Sequence, residues 1–296
     1  MIEIKLVTPE SAKPYQTFTY QSFRQGIVDT TVSPEKRPIV IGATFMGSPV
    51  GLVVAGCNRG EGAANVVSLF VQKSFRNMGV GTALLNYLID YLRSEGFIKA
   101  TVQYYGVADV QIIERVLEKS GWQSPVLYSS YYRLELQNLN GQRWMYRMKL
   151  PSSYQLLSWE EVSAEERSQI KDLNETEYRS YYDPSENEKV IVQTCSYFLK
   201  KNDTIIGWSI IERHLEDTLL YRALYIREAY RDKGLGIVLA AKTAQGVMAS
   251  RIPYGVIQIV AANERMQKVY KRIIEPLSPT ITSYWSCEKE LQIPHR

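Results

Sequence analysis

The chain is poor in the residue types that build metal centres and disulfide frameworks. Its 296 residues include only three cysteines and two histidines, which lie far apart at Cys57, Cys195, Cys287, His214 and His295. An odd and scattered set of cysteines offers neither paired bridges nor the short spacing of a metal-ligand cluster. We therefore expect reduced thiols and no metal site.

Long apolar runs and a strong charge of one sign are also missing. No apolar stretch reaches the roughly 18 residues that span a bilayer, and the start, Met-Ile-Glu-Ile-Lys, lacks the apolar segment of a signal peptide. The net charge is only +4, so the composition does not call for a nucleic-acid partner. We expect a cytoplasmic protein that binds neither membrane nor nucleic acid.

A motif that occurs twice is the main positive feature of the sequence. Arg76–Gly81 reads Arg-Asn-Met-Gly-Val-Gly, and Arg231–Gly236, 155 positions later, reads Arg-Asp-Lys-Gly-Leu-Gly. Each copy follows an apolar run typical of a strand and leads into an amphipathic run typical of a helix. Glycines allow the backbone to approach a ligand closely, and a helix N-terminus supplies unpaired N–H donors and a positive dipole end. The motif predicts a pyrophosphate-binding loop in each half.

The predicted cofactor-binding residues are the last residue of the strand before each motif and residues of the loop that follows this strand. In the first half they are Val71, Arg76, Gly79, Val80, Gly81 and Thr82. In the second half they are Ile226, Arg231, Lys233, Gly234, Leu235 and Gly236. Lys73, Lys268 and Lys271 are further candidates for phosphate contacts, although an exposed helix face explains Lys268 and Lys271 as well.

Two other phosphate-binding motifs fit the loops poorly. A dinucleotide fingerprint needs a third glycine, where this chain has Leu84 and Leu239. A nucleotide P-loop ends in Gly-Lys-Ser or Gly-Lys-Thr, and neither copy does.

Repetition at half the chain length predicts two tandem domains. Pro151 and two serines mark a seam between Leu150 and Tyr154, so we assign the domains to residues 1–150 and 151–296. The hydrophobic periodicity of each half predicts an α/β domain in which a mostly antiparallel mixed sheet is flanked by helices.

The same periodicity places the individual elements. In the first half, helices are predicted at Glu10–Arg24, Gly81–Glu95 and Asp109–Lys119, and strands at Ile2–Thr8, Ile39–Phe45, Val50–Cys57, Asn65–Val71, Ile98–Tyr105, Val126–Leu136 and Arg143–Leu150. In the second half, helices are predicted from Ser163, with Glu166 completing a capping box, and at Leu235–Ser250 and Glu264–Ile273. Its predicted strands are Tyr154–Trp159, Val192–Leu199, Thr204–Ile211, Thr218–Ile226, Gly255–Ala261 and Thr282–Leu291.

The two Arg-x-x-Gly-x-Gly loops resemble the acyl-CoA signature of the GNAT N-acetyltransferase superfamily, and the resemblance covers essentially the whole chain as two tandem domains. It implies that the loop amides bind the pyrophosphate of CoA. It also implies that the pantetheine arm lies, as an added strand, in a gap between the fourth and fifth strands of a domain. The expected cosubstrate is acetyl-CoA or another acyl-CoA.

A second signature of that superfamily separates the two halves. The resemblance implies catalytic roles for Asn263 and, seven residues later, Tyr270, whose hydroxyl would protonate the departing thiolate. In the first half Leu117 takes the tyrosine place, and Asp109 or Val110 lies near the asparagine place. We therefore expect chemistry in the second domain and a degenerate first domain.

The attacking amine must be neutral, which requires a base or a chain of waters. The superfamily often places a glutamate on the fourth strand, but neither fourth strand of this chain contains an acid. The remaining candidates are acids and a histidine near the end of the preceding strand, namely Glu212, His214, Glu216 and, in the first half, Glu61. A solvated hairpin charge is the simpler role for each.

The resemblance implies an N-acyltransferase, most simply an N-acetyltransferase, that moves the acyl group directly to a primary amine of a small molecule or peptide. Tyrosines near Tyr128–Tyr132 and Tyr178–Tyr182 are expected to line the acceptor pocket. A transferase of longer acyl chains and a non-catalytic acyl-CoA-binding, regulatory or scaffold protein remain alternatives. We expect a monomer or a homodimer.

Overall fold

The computed structural model describes residues 1–106, 110–147, 149–171, 182–184 and 188–291. Its strands, in chain order, are β1 (Ile2–Leu6), β2 (Ile39–Phe45), β3 (Ser48–Asn58), β4 (Ala63–Val71), β5 (Lys99–Tyr105), β6 (Val126–Glu135), β7 (Tyr154–Ser158), β8 (Tyr197–Lys201), β9 (Thr204–Leu215), β10 (Thr218–Ile226), β11 (Tyr254–Val260) and β12 (Thr280–Glu290). The α-helices are α1 (Gln21–Arg24), α2 (Val80–Ser94), α3 (Val110–Lys119), α4 (Trp144–Arg147), α5 (Ala164–Lys171), α6 (Leu235–Ala249) and α7 (Glu264–Val269).

The chain folds into two compact units. The first contains Met1–Tyr128 and the residues from Ser283 onward, and the second contains Ser129–Thr282. None of the helices in the described ranges has both the length and the apolar composition needed to cross a membrane.

The sheet of the first unit has the order β1-β2-β3-β4-β5-β12. Strands β1 to β4 form an antiparallel meander, β5 is parallel to β4, and β12 is antiparallel to β5. Met46 and Gly47 make the β2–β3 turn with φ of 49° and 78°, a left-handed pair typical of two-residue hairpin turns. The prediction of a mostly antiparallel mixed sheet is confirmed.

The sheet of the second unit repeats this plan in the order β7-β8-β9-β10-β11-β6. Strands β7 to β10 are antiparallel neighbours, β11 is parallel to β10, and β6 is antiparallel to β11. Each sheet is therefore closed by a strand from the other half of the sequence, because β12 pairs with β5 and β6 pairs with β11. The compact units and the two sequence halves share most residues. They differ in residues 129–150, which belong to the second unit, and in the residues from Ser283 onward, which belong to the first.

Helix α2 covers the first sheet with the apolar stripe that its sequence predicts. Leu84, Leu85, Leu88, Ile89 and Leu92 are all at most 2% exposed. The helix ends where Gly96, with φ of 81°, donates from its amide to Arg93 O, while the amide of Phe97 donates to Leu92 O. This pair of bonds is a Schellman motif, which ends α2 within one residue of the predicted end at Glu95.

The predicted capping box of α5 is also present. Ser163 N donates to the Glu166 carboxylate at 2.9 Å, and Glu166 N donates to Ser163 Oγ at 3.1 Å. Lys200 on β8 binds the same carboxylate at 2.7 Å.

Several predicted elements differ in the structure. The predicted helix Glu10–Arg24 is broken into two 3₁₀ turns, Pro9–Ser11 and Lys13–Phe18, and the short α1, because Thr19 and Tyr20 are extended. The predicted strand Arg143–Leu150 is wrong in its described part, where α4 forms instead. Met145 of α4 is 2% exposed and its carbonyl accepts a hydrogen bond from Gln245 of α6, so tertiary packing overrides the strand-like sequence.

The strand predicted from Val192 begins only at Tyr197. Gln193–Cys195 forms a 3₁₀ turn, and the side chain of Ser196 accepts from Ile211 N at 3.0 Å. A serine hydroxyl that bonds the backbone competes in this way with regular strand pairing.

Candidate functional site

The two repeated loops have nearly the same backbone. Asn77 and Asp232 have φ of 62° and 63°, and Gly79 and Gly234 have φ of 81° and 75°. Each glycine is the N-cap of the long helix behind it, α2 or α6. Left-handed geometry at two nearby positions turns the chain sharply from the strand into the helix, which explains the glycine at the second of them.

The arginine of each motif fixes its own loop. Arg76 Nε donates to Val71 O at 3.1 Å, and Arg231 Nε donates to Ile226 O at 2.9 Å. Both acceptors are the last residue of the strand that precedes the loop, β4 or β10. The two side chains thus close the turn, and the backbone amides remain the groups that a ligand would meet.

The start of each long helix fits a phosphate group. The first four amides of an α-helix have no i−4 acceptor within the helix. In α2 the first amide to donate to Gly79 O is that of Ala83, and in α6 the amides of Ile237 and Val238 donate to Gly234 O. Nothing lies within 4 Å of a Cβ built on Gly79 or Gly234. The amides of Val80, Gly81 and Thr82, and those of Leu235 and Gly236, belong to these first turns and are suited to an anion.

Basic side chains surround the second loop but are already engaged. Lys233 Nζ donates to Ala229 O at 3.3 Å and lies 5.4 Å from the centre of the Tyr230 ring. Arg265 pairs with Asp232 at 3.1 Å, and both side chains are more than half exposed. A bound anion would compete for these exposed contacts at little cost, since exposed ion pairs are weak.

A gap opens between the parallel strands of each unit. Strands β4 and β5 pair only from Ala63↔Lys99 to Val66↔Val102, although they continue to Val71 and Tyr105. Strands β10 and β11 pair only as far as Tyr221↔Ile257, although they continue to Ile226 and Val260. The gap that the resemblance implies between the fourth and fifth strands is therefore present in both units.

A β-bulge sits at the closed end of each gap. The β3–β4 register skips Val67, and the β9–β10 register skips Arg222. A bulge leaves a residue outside the ladder and re-aims its side chain, and bulges are common beside active sites. The inner edges of the diverging strands can pair with an extended ligand, as in β-strand addition.

Glu212, a predicted base, lies in an ion pair next to the second bulge. Its Oε1 is 2.5 Å from Nε of Arg222, and the two residues are 7% and 6% exposed. Arg222 Nη2 also donates to the carbonyl of Asp183 at 2.8 Å. The carboxylate is thus engaged by a guanidinium.

The other predicted bases lie at exposed turns. His214 is exposed near the end of β9, about 7 Å along the strand from Glu212. Glu216 is exposed in the hairpin that follows, where its carbonyl accepts a hydrogen bond from Arg213. Glu61 is exposed in the 3₁₀ turn Arg59–Glu61 of the first unit. Among the described residues, no group of histidine, cysteine and acids could hold a metal ion.

Asn263 and Tyr270 occupy the two ends of α7. Asn263 is the N-cap, and its Oδ1 accepts from Met266 N at 3.1 Å. Tyr270 begins a π-helical turn, Tyr270–Ile274, in place of the predicted continuation of the α-helix. π-turns inside helices are frequent at functional sites.

The phenol of Tyr270 lies against a second tyrosine and near a carboxylate. Its ring stacks on Tyr132 of β6, with centroids 4.3 Å apart. Burial, then the nearby Glu275 and Tyr132, raise the pKa of Tyr270. A raised pKa keeps the hydroxyl protonated at neutral pH.

The first unit has a different residue set at the matching place. Leu117 is 3% exposed and belongs to the hydrophobic core, and α3 contains no tyrosine. Asp109 lies outside the described residues, as do Tyr178 and Tyr181 of the predicted acceptor cluster.

Sequence reasoning missed the role of Arg222. The signal was present, because a charged residue in the middle of the apolar strand Leu-Leu-Tyr-Arg-Ala-Leu needs a partner when it is buried. The contribution of Tyr132 could not be found in this way, since it comes from the other half of the sequence through β6.

Comparison with known proteins agrees with this geometry. The model of the Acetyltransferase (GNAT) family matches the chain twice, over residues 4–117 and 154–274. A solved tandem GNAT protein from the clavulanic acid biosynthesis pathway is similar with a TM-score of 0.64 and 14% identity, covering 100% of both chains. A GCN5-related N-acetyltransferase from Sphaerobacter thermophilus is similar with a TM-score of 0.60 and 13% identity, covering 98% of this chain and 96% of that one.

A probable N-acyltransferase from Enterococcus faecalis V583 gives a TM-score of 0.58 at 10% identity, covering 99% of this chain and 73% of that one. No curated protein sequence matches the chain. Identities this low show a shared fold alone, whereas the family model covers most of the chain in two copies. The chain belongs to the acetyltransferase (GNAT) family, whose members transfer acyl groups, and it carries two copies of the family's domain in tandem.

Proposed function

We propose that the chain is an acyl-CoA-dependent N-acyltransferase that moves an acyl group, most simply acetyl, to a primary amine of a small molecule or peptide. The observation that supports this proposal most directly is that the second unit contains three features next to one another. The glycine loop, the gap between β10 and β11, and the phenol of Tyr270 follow one another along the same strands and helices. We assign this chemistry to the domain of residues 151–296 and a binding or structural role to residues 1–150.

The loop and the gap support binding of acyl-CoA in one orientation. The amides of Leu235 and Gly236 at the start of α6 would hold the pyrophosphate, with Lys233 close by. The arm would then run along the inner edge of β10 from Ile226 toward Tyr221. This orientation brings the thioester to the closed end of the gap, beside the bulge at Arg222.

Transfer requires an attack by nitrogen and a proton for sulfur. A neutral amine attacks the thioester carbonyl, the new C–N bond forms, and the C–S bond breaks. Tyr270 donates its proton to the departing sulfur, and the surplus proton of the amine passes to a base or to solvent. A phenol is protonated at neutral pH, as this role requires, and the raised pKa of Tyr270 keeps it so without making it a stronger acid.

The base must take up the surplus proton of the amine. The ion pair with Arg222 makes Glu212 a poor acceptor, because taking up a proton would break that pair. His214 is free of this objection, but it lies at an exposed hairpin. We propose that His214 or a chain of waters removes the proton, and that Asn263 acts by capping α7.

The first unit supports a second, non-catalytic candidate function. It has the loop and the gap, yet Leu117 fills the core where the second unit has Tyr270. We propose that this unit binds acyl-CoA without efficient transfer. A transferase of longer acyl chains is the alternative for the second unit. We also propose a cytoplasmic location, a monomer or homodimer, and no nucleic-acid or membrane partner.

Thiol release tests the proposed function. The protein is incubated with acetyl-CoA and a panel of primary amines comprising arylalkylamines, amino sugars, polyamines and a lysine-containing peptide. We expect at least one amine to cause release of free CoA thiol, and Gly236→Glu to abolish it. Thiol release that no amine accelerates would contradict the proposal.

A further inference from the structure

We infer that Arg222 and Glu212 form a positioning pair that holds the backbone of residues 182–183 beside the closed end of the gap in the second unit, and so builds one wall of the amine site. The inference rests on the proposed function in one respect, namely that the acceptor bound at this wall is an amine. The placement itself rests on contacts among described residues.

The location of Arg222 is set by the sheet. It is the residue that the bulge of β10 leaves outside the ladder, directly after the last β10–β11 pair, Tyr221↔Ile257. Its side chain is almost completely buried. A cation is therefore fixed at the point where the two strands begin to diverge.

Arg222 joins two acceptors that belong to different parts of the unit. One is the carboxylate of Glu212 on β9, and the other is the carbonyl of Asp183 at 2.8 Å. A planar guanidinium can serve two acceptors at once, whereas a lysine ammonium offers no such fork. The strand pair β9–β10 is thereby tied to the backbone at Asp183.

A second tie holds the preceding residue. Trp208 Nε1 on β9 donates to the carbonyl of Tyr182 at 2.6 Å, and the rings of Tyr182 and Tyr225 lie 6.0 Å apart. Trp208 itself stacks on Tyr225 at 4.6 Å. Two consecutive carbonyls are thus anchored on two neighbouring strands, so residues 182–183 have one defined place relative to the gap.

The first unit has uncharged residues at the two positions that match Arg222 and Glu212. Val67 is the residue that its bulge leaves out, and Gly56, which pairs with Asn65, stands where Glu212 pairs with Leu220. The ionic pair is therefore not needed to form the bulge or the gap, because the first unit forms both without it. The presence of this ion pair in the second unit indicates a role at the site where acyl transfer is proposed.

Burial explains why both partners are required. A buried guanidinium without its carboxylate is an uncompensated charge, which is strongly unfavourable. Glu212 accordingly acts through Arg222, by fixing the direction of the guanidinium toward Asp183. This role replaces the base function that the sequence alone suggested for Glu212.

Hydrogen exchange tests the placement independently of any activity. The variants are Arg222→Lys, which keeps the charge, Glu212→Gln, and the matched control Arg213→Lys on the exposed face of β9. We expect peptides that contain Tyr182 and Asp183 to exchange roughly five- to tenfold faster in the first two variants. Loss of one hydrogen bond that holds this backbone makes its local opening more frequent by about that factor. We expect no change in the control, and an unchanged acetyl-CoA affinity in all three. Exchange that stays at the wild-type rate in Arg222→Lys and Glu212→Gln would overturn the inference.

Kinetics with an amine found in the panel separates positioning from proton transfer. We expect both variants to raise KM for the amine about tenfold, with the pH profile of kcat unchanged in shape. Loss of the acid limb of that profile in Glu212→Gln, with normal exchange at Asp183, would make Glu212 the base and overturn the inference. If wild type turns over no amine, the proposed function fails, while the exchange experiment still decides the placement.

Discussion

Arg231 Nε donates a hydrogen bond of 2.9 Å to the carbonyl oxygen of Ile226, the last residue of β10. Arg76 and Val71 make the same contact at 3.1 Å in the first unit. The conserved geometry of the two copies shows that the motif arginine braces the loop from within. The proposed anion site would then be made by the backbone amides that this brace holds in place.

Replacing Arg231 by Gln should weaken CoA binding only moderately. The change removes one neutral-acceptor contact of the guanidinium, which contributes about 1 kcal/mol, so we expect the dissociation constant of CoA to rise about three- to tenfold. Titration calorimetry measures it, with Arg76→Gln as the matched variant in the first unit. A loss of a hundredfold or more would mean that the guanidinium contacts the phosphates directly.

Tyr270→Phe should slow turnover while leaving CoA affinity unchanged. A general acid contributes on the order of 100- to 10,000-fold, so we expect kcat to fall within that range. Tyr132→Phe is the control, because it preserves the ring that stacks on Tyr270. An unchanged kcat in Tyr270→Phe would remove this phenol from the mechanism.

The same phenol predicts the alkaline limb of the pH profile. The acid form of Tyr270 is the active one, and its pKa is raised by burial, Glu275 and Tyr132. Activity is therefore full below this raised pKa and falls as the pH rises through it. We expect the descending limb of kcat above the range of an ordinary tyrosine, which titrates near about pH 10, and we expect Tyr270→Phe to lack that limb.

Asn263→Ala should cost stability through loss of the α7 cap. Its Oδ1 accepts from Met266 N at 3.1 Å, and removal of such a cap costs about 1 kcal/mol. Thermal unfolding measures the loss, and Asn263→Asp, which keeps the acceptor, should restore both stability and turnover. Turnover that is lost in Asn263→Asp despite normal stability would indicate direct participation in catalysis.

Acid should weaken the attachment of α5 to β8. The hydrogen bond from Lys200, then that from Ser163, lowers the pKa of Glu166. A carboxyl whose folded pKa lies below its unfolded value, about 4.3, stabilises the fold above that value and loses this contribution as the pH falls through the folded pKa. We expect Glu166→Gln to lower Tm at pH 7 but not at pH 3, and the exposed Glu160→Gln to lower it at neither.

Local sequence patterns predicted the parts of the fold that local physics determines. The stripe of Leu84, Leu88 and Leu92, the box of Ser163 and Glu166, and both glycine loops all stand where the sequence places them. Their signals are helical periodicity, caps and glycine spacing, which depend on residues near each other in the chain.

Contacts between distant residues account for what the sequence did not predict. The run from Arg143 looks like a strand, yet packing of Met145 against α6 makes it helical. The pairing of β6 with β11 and of β12 with β5 follows from sheet closure, for which no local signal exists. The pairing of Glu212 with Arg222 likewise could not be predicted without the β9–β10 register, because the two lie ten positions apart on opposite sides of a hairpin.

The most direct measurement is calorimetric titration of acetyl-CoA into wild type, Gly236→Glu, Gly81→Glu and the control Gly60→Glu. A Cβ on Gly236 meets only Ile226 at 3.7 Å, and one on Gly60 meets only Asn58 at 3.6 Å. There is therefore space for the first atom of the new side chain at both positions. The variants differ because only Gly236→Glu adds a carboxylate at the loop amides of α6.

We predict that wild type and Gly60→Glu bind acetyl-CoA alike, and that Gly236→Glu loses the second-unit site together with amine-dependent thiol release. Gly81→Glu should keep that release, because its change lies in the first unit. Absence of binding in wild type, or release that survives Gly236→Glu but is lost in Gly81→Glu, would contradict the account.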